Sequence, residues 1–243
     1  TSSLGTNRTA VALSSGGYHT CAILDNGSVS CWGYGNKGRL GNGGTSNQYS
    51  PTLTSSLGTG RTAVALSSGL AHTCAILDNG AVSCWGDVEF GRLGNGATTD
   101  KTTPTLTSSL GTNRTAVALS SGDYHTCAIL DNGSVSCWGE GGRHALGNGD
   151  YSDKVTPTLT SSLGMGRTAV ALSSGRGHTC AILDNGSVSC WGDNYYGRLG
   201  IGSLSMKNSP TLTSSLGTDR TAVALSSGEY HTCAILDNGS VSC

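Results

Sequence analysis

The sequence predicts an all-β protein made of tandem 53-residue sheet units, and three observations carry that prediction. The string His-Thr-Cys-Ala-Ile-Leu-Asp-Asn-Gly begins at His19, His72, His125, His178 and His231, a constant step of 53 residues with no insertion or deletion. Thr-Ala-Val-Ala-Leu-Ser-Ser-Gly recurs at the same step from Thr9, and Ser-Cys-Trp-Gly from Ser30. Between the second and third strings lies Asp-Asn-Gly, a turn signal flanked by β-branched and apolar residues, which favours a hairpin over a helix. The whole chain is therefore one repeat array, with units 1–53, 54–106, 107–159 and 160–212 and a partial unit 213–243.

Within a unit, Thr9 to Ser14 alternates in the manner of a strand, with Val11 and Leu13 on one side and Ala10 and Ala12 on the other. The hairpin register follows from the turn. A two-residue Asn-Gly loop sets Cys21 opposite Trp32 and leaves the cysteines offset. A three-residue Asp-Asn-Gly loop sets Leu24 opposite Ser28, Ile23 opposite Val29 and Cys21 opposite Cys31, with Gly27 in the left-handed position of a G1 bulge. Only the second register brings two cysteines to bridging distance. It predicts the pairs Cys21–Cys31, Cys74–Cys84, Cys127–Cys137, Cys180–Cys190 and Cys233–Cys243, each worth about 2.5–3 kcal/mol in the chain-entropy view. The spacing is too wide for a zinc knuckle and each unit offers one nearby His, so no metal site is expected.

In this register Cys21, Ile23, Val29 and Cys31 share one face, while Leu24 and Trp32 share the other. Both faces are apolar, so each sheet needs cover on both sides, as in a stack of sheets or a ring of blades. Gly-Arg-Leu-Gly-Asn-Gly, from Gly38 to Gly43, reads as a turn with one buried Leu. The Ser/Thr-rich stretch up to Pro51 reads as a connector or edge strand.

The elements Gly16, His19, Thr20, Leu24, Gly27, Val29, Trp32, Gly33, Gly38, Leu40, Gly41, Gly43 and Pro51 together resemble the regulator-of-chromosome-condensation repeat, and the match recurs in every unit. Unit three departs at His144 and Ala145, which replace Gly-Arg, and unit four at Ile201, which replaces Asn. The resemblance implies a β-propeller of four-stranded blades, usually seven, here of a secreted bacterial type with a disulfide per repeat. Seven such units need about 370 residues. The chain is therefore expected to be an excerpt of a longer array, or an open one completed by neighbouring chains. Open edges favour head-to-tail growth into fibres.

Composition narrows function. Charged residues are 12% of the chain and the formal net charge is -1, so nothing neutralises a nucleic acid in bulk. No apolar run is long enough to span a membrane, and regular cysteine pairs point to an extracellular or cell-surface location. No catalytic constellation is found. The repeated His reads as a fold requirement, bonding within the blade, and Asp25 and its equivalents as turn residues. No cofactor is expected.

Function is expected where units differ. One varying group follows Trp-Gly and contains Tyr34, Lys37, Phe90, Arg143, His144, Tyr195 and Tyr196. A second precedes the His and contains Tyr18, Tyr124 and Tyr230; a third precedes the Pro, at 47–49, 100–101, 153–154 and 206–207. Tyr, Arg and Phe are common interface anchors. Asn7, Asn26, Asn113, Asn132, Asn185 and Asn238 each begin an Asn-x-Ser/Thr acceptor for N-linked sugar. The leading expectation is a non-enzymatic extracellular adhesive or fibre-forming array that contacts proteins, copies of itself or glycans. The alternative is a secreted propeller that binds one partner, as enzyme-inhibiting members of the family do. The family's exchange-factor role on a small GTPase fits least, given the paired cysteines and the lack of a basic patch.

Overall fold

The computed structural model describes residues 4, 5 and 7–243. They form five antiparallel sheets. The first contains β1 (Ala10–Ser15), β2 (His19–Leu24), β3 (Val29–Gly33) and β4 (Gln48–Leu53). The second contains β5 (Ala63–Ser68), β6 (His72–Leu77), β7 (Val82–Gly86) and β8 (Lys101–Leu106). The third contains β9 (Ala116–Ser121), β10 (His125–Leu130), β11 (Val135–Gly139) and β12 (Lys154–Leu159). The fourth contains β13 (Ala169–Ser174), β14 (His178–Leu183), β15 (Val188–Gly192) and β16 (Lys207–Leu212). The fifth holds β17 (Ala222–Ser227), β18 (Thr232–Leu236) and β19 (Val241–Ser242). Strands are ordered within each sheet as in the chain, the meander of a propeller blade, and no sheet closes on itself. Among the described residues, no helix is long and apolar enough to cross a membrane.

The three-residue turn sets the hairpin register. Leu24 N–H donates to Ser28 O at 2.8 Å and Gly27 N–H to Leu24 O at 2.8 Å, with Gly27 at φ +75°. Three residues in from the turn's closing pair, Cys21 stands opposite Cys31, and the same pairing holds in β6–β7, β10–β11 and β14–β15. All five disulfides form as expected, and no cysteine is free.

The blades pack face to face through a seam that repeats. Cys21, Ile23, Val29 and Cys31 of the first sheet, with Leu40 from its β3–β4 loop, bury against Ala63, Ala75, Leu77 and Trp85 of the second. The next two seams use the equivalent residues. The two-faced pattern expected for the hairpin is therefore what holds the blades together. One expectation about the inner strand is corrected. A bulge between Ala10 and Ala12 breaks the alternation. As a result Ala65 faces forward into one seam, Leu66 faces back into the other, and Val64 stands exposed. Val and Leu do not share a face.

The repeated His is also reassigned, since its hydrogen bond runs between blades and not within one. Thr73 Oγ1 spends its single hydrogen on Arg39 O (3.2 Å) and sits 2.7 Å from His19 Nε2, so His19 must donate from Nε2. The pattern repeats at His72–Thr126 and His125–Thr179, each at 2.8 Å, where Thr126 and Thr179 give their hydrogens to Arg92 O and Ala145 O; His178 meets Thr232 at the same distance. His19 and His178 are pushed down to about 4 and His125 to about 3, in each case first by burial; His72, fully enclosed, is lowered by burial and by Arg92. All four are therefore neutral imidazoles wedged between sheets, and His19, His72 and His125 donate from Nε2.

Candidate binding face

The two ends of the blades differ in kind, and strand pairing places each residue at one or the other. Gly33 pairs with both His19 and Gln48, so the loops after Trp-Gly, before the His and before the Pro all open at the same end. The Asp-Asn-Gly turns lie at the opposite end, where Gly27 O accepts from Ala63 N–H of the next blade. The three groups of varying residues therefore converge at one end, and the other end is nearly invariant.

The invariant hairpin end is held by one repeated ion pair: Arg8–Asp25, Arg61–Asp78, Arg114–Asp131, Arg167–Asp184 and Arg220–Asp237, at 3.1–3.4 Å. Turn chemistry alone does not explain this Asp, which also fixes the chain entering the inner strand. Asp219 aside, every other charged residue lies at the variable end, nine of each sign. That end is thus neutral in sum, with no bulk pull on a polyanion. All eight Tyr and the one Phe of the chain lie there too, while Trp85, Trp138 and Trp191 line the seams.

A buried arginine organises the aromatic residues. Arg39 is 5% exposed; its Nε donates to Asn36 O at 2.9 Å, and it reaches across the seam to donate to Leu70 O at 3.0 Å. Its guanidinium lies 4.9 Å from the Tyr34 ring, which meets Tyr18 edge-on at 6.2 Å. Arg92 repeats this with Phe90 and Tyr124, and Arg198 with Tyr196 and Tyr230. The same residue's backbone closes the seam below, since Arg39 O accepts from Trp85 Nε1 at 3.0 Å and Arg92 O from Trp138 at 2.9 Å. The turn buries this arginine as well as the single Leu expected of it. The signal available was its recurrence as Arg39, Arg92 and Arg198 amid loops that otherwise drift.

Of the ten residues expected on a binding face, the structure gathers nine at or near the surface of this end. Tyr195 and Tyr196 are 69% and 63% exposed and form a cluster with Tyr230, at centroid separations of 4.8 and 5.2 Å. Lys37 reaches Asp100 of the next blade at 3.4 Å. Arg143 is partly exposed between Glu140 and Asp193, and its Cδ lies 2.7 Å from where a Cβ on Gly177 would stand. It fills the place that Tyr18, Tyr124 and Tyr230 take in other blades. His144 is the exception. It is 8% exposed and tucked edge-on to Tyr151 at 4.3 Å, so it supports the loop without facing solvent. Ala145 leaves this seam without the buried guanidinium, yet its carbonyl still accepts from Trp191 at 2.8 Å.

Among the described residues, six non-glycine residues hold a left-handed φ, three at each end: Asn7, Asn113 and Asp219 at the hairpin end are of the types that tolerate it most readily, and those at the variable end are not. Lys37, Phe90 and His144 hold φ of +66°, +60° and +63°, a region costly for residues with a side chain. Toward the axis, the inner-strand turns line a polar cavity of about 650 Å³. Arg176 there joins Glu229 and Tyr230 of the neighbouring blade and stands 3.9 Å from Asp123. Burial raises the Asp123 carboxyl despite the nearby Arg176. Among the described residues no cluster of metal-ligating side chains is present.

Comparison with known proteins follows the same repeat. A family model described as regulator of chromosome condensation (RCC1) repeat matches residues 26–76, 79–129, 132–182 and 185–235, and a second of the same description matches 10–39, 63–92, 116–145 and 169–198. The ultraviolet-B receptor UVR8 of Arabidopsis thaliana is 32% identical over 235 residues, covering 96% of this chain and 52% of the receptor. The E3 ubiquitin-protein ligase HERC2 of Homo sapiens is 33% identical over 224 residues, 91% of this chain and 5% of the ligase. The chain thus spans about half the length of the receptor and about a twentieth of the ligase. The crystal structure of Prp20p from Saccharomyces cerevisiae shares the fold, with a TM-score of 0.82 at 20% identity over 96% of this chain and 56% of that one.

Proposed function

Because this chain belongs to the regulator of chromosome condensation (RCC1) repeat family, we propose that it is a non-enzymatic protein-binding module that meets its partner at the variable end of its blades, in an oxidising compartment outside the cell or at its surface. The observation that carries this reading is the partition of the two ends. Sequence variation, all the tyrosines and, Asp219 aside, every charge outside the repeated Arg–Asp pairs share one end, while the other repeats nearly unchanged. Rigid aromatic rings seated on buried guanidinium groups are the chemistry of interface anchors, ordered before the partner arrives. Of the two relatives named above, one is an ultraviolet-B receptor and the other an E3 ubiquitin-protein ligase. The compartment rests on the five disulfides, which cytosolic thiol buffers disfavour.

The test compares two variants with the parent chain as bait on proteins of the source's surface and medium. Tyr195→Ala/Tyr196→Ala/Tyr230→Ala should lose the specific partner by at least tenfold in affinity, the scale of one or two hot-spot residues. Arg61→Ala/Arg114→Ala at the hairpin end should bind as the parent does. Equal binding by all three, or loss confined to the hairpin-end variant, refutes the reading.

Self-association is a second reading, supported by the sameness of the seams. The Cys-Ile-Val face of one sheet meets the same Ala-Leu-Trp set at each of the first three junctions, so the contact suits copies of the chain as well as neighbours within it. Sedimentation of the purified chain at rising concentration tests it, with filaments or a growing series of oligomers as the expected result and a fixed mass as the contrary one. Neither relative named above is an adhesive or fibre protein, and that finer role draws no support from them.

A further inference from the structure

Seven of the fourteen asparagines lie at the hairpin end, and six of these seven are followed two residues later by Ser or Thr. None of the other seven, in the β3–β4-type connections and outer strands, has Ser or Thr at that position. The hairpin turn does not itself require this hydroxyl. In blade two Ala81 takes the place of Ser28, and the turn survives intact, with Ala81 N–H donating to Asn79 Oδ1 at 3.2 Å against 3.1 Å for Ser28 N–H to Asn26 Oδ1. Gly80 keeps φ +75°, as Gly27 does. The Asn and Gly build the turn; the Ser is an addition.

In the turns that keep it, Oδ1 of the Asn takes both bonds, from the Ser N–H and from Ser Oγ at 2.6–2.7 Å. Among the described residues nothing in the chain holds Nδ2. Asn26, Asn132, Asn185 and Asn238 are exposed, as are Asn7 and Asn113 in the turns that lead into β1 and β9. A sugar on Nδ2 at any of the six would stand in solvent and disturb no seam.

From this segregation we propose that the hairpin end is an N-glycosylated sheath and that the variable end stays bare. In the transfer, Asn Nδ2 attacks the anomeric carbon of a saccharide carried on a lipid pyrophosphate. The new C–N bond forms as the C–O bond to pyrophosphate breaks, the bonding pair leaves with the lipid pyrophosphate, and Nδ2 gives up one proton. The proposal rests on the oxidising compartment proposed above and adds a direction to the binding reading. Sugar at one end closes it to protein partners and leaves the aromatic end as the accessible surface.

The test is peptide mapping of the protein isolated from its own source, after enzymatic release of N-glycans in heavy-oxygen water, with thiols counted on the same sample. The expected result is label on asparagines of the six acceptors, none on Asn79 or any asparagine of the variable end, and all ten cysteines bonded. An Ala81→Ser variant made in the same source should gain a glycan at Asn79. Ten bonded cysteines with no label at the six acceptors overturn the sheath and leave the compartment standing. Ten free thiols with no label overturn both. Label on variable-end asparagines, or none on Asn79 in the Ala81→Ser variant alongside label elsewhere, overturns the proposed polarity.

Discussion

Histidine chemistry at the seams makes stability depend on pH in a definite direction. His19, His72, His125 and His178 are neutral in the folded chain well below the ordinary value of 6.5, whereas in the unfolded chain they titrate near it. The unfolded state therefore binds more protons as pH falls from about 6.5 toward 4, and folding loses about 1.4 kcal/mol per pH unit for each such His. Their contribution is full above pH 6.5 and lost progressively below it. Denaturant melts between pH 7 and 4 should show this decline, and His72→Gln should make it shallower; an unchanged slope contradicts the assignment. At the loop tips the strain argument gives the opposite sign. Lys37→Gly relieves a positive φ at a residue whose one ion pair is solvent-exposed, and it should stabilise the chain by about 1 kcal/mol. A loss of stability in the same melt would mean that the loop is not strained.

Elements were legible where local chemistry fixes them. Asp25-Asn26-Gly27 dictated the loop length, the loop length dictated the register, and the register placed Cys21 opposite Cys31. The two apolar faces of that hairpin foretold the seam. What was not legible depended on the neighbouring blade. The partner of His19 is Thr73, 54 residues away, and nothing local to His19 points to it. The bulge at Ala10/Ala12 likewise arises where β1 must turn its backbone to expose Val11 while Ala12 stays in the seam. The guanidinium of Arg39 is buried because its acceptors, Asn36 O and Leu70 O, come from two blades. The disulfide gives the element-scale prediction. Cys74→Ala/Cys84→Ala should lower unfolding free energy by about 2.5–3 kcal/mol by freeing a short loop in the unfolded chain. A change below about 0.5 kcal/mol would show that the seam alone holds that hairpin.

For the molecule as a whole, stacked units contact only their neighbours, and a one-dimensional array of this kind lets each blade's loops vary at little cost to the rest. Variation has accumulated at the end where three loops per blade open, and the seam residues below have stayed fixed. That end was legible from the sequence as a set of positions but not as a surface. Strand pairing was needed to bring the three loop groups together, and the burial of His144 beneath Tyr151 removes one residue from the set. The central claim is that partners meet this end. It is tested most directly by photo-crosslinking, with a reactive side chain placed at Phe90 or Tyr195 on the variable end and, in parallel chains, at Asn79 or Asp78 on the hairpin end. The account predicts partner adducts from the first two positions and none from the second two. Adducts confined to Asn79 and Asp78 would contradict it.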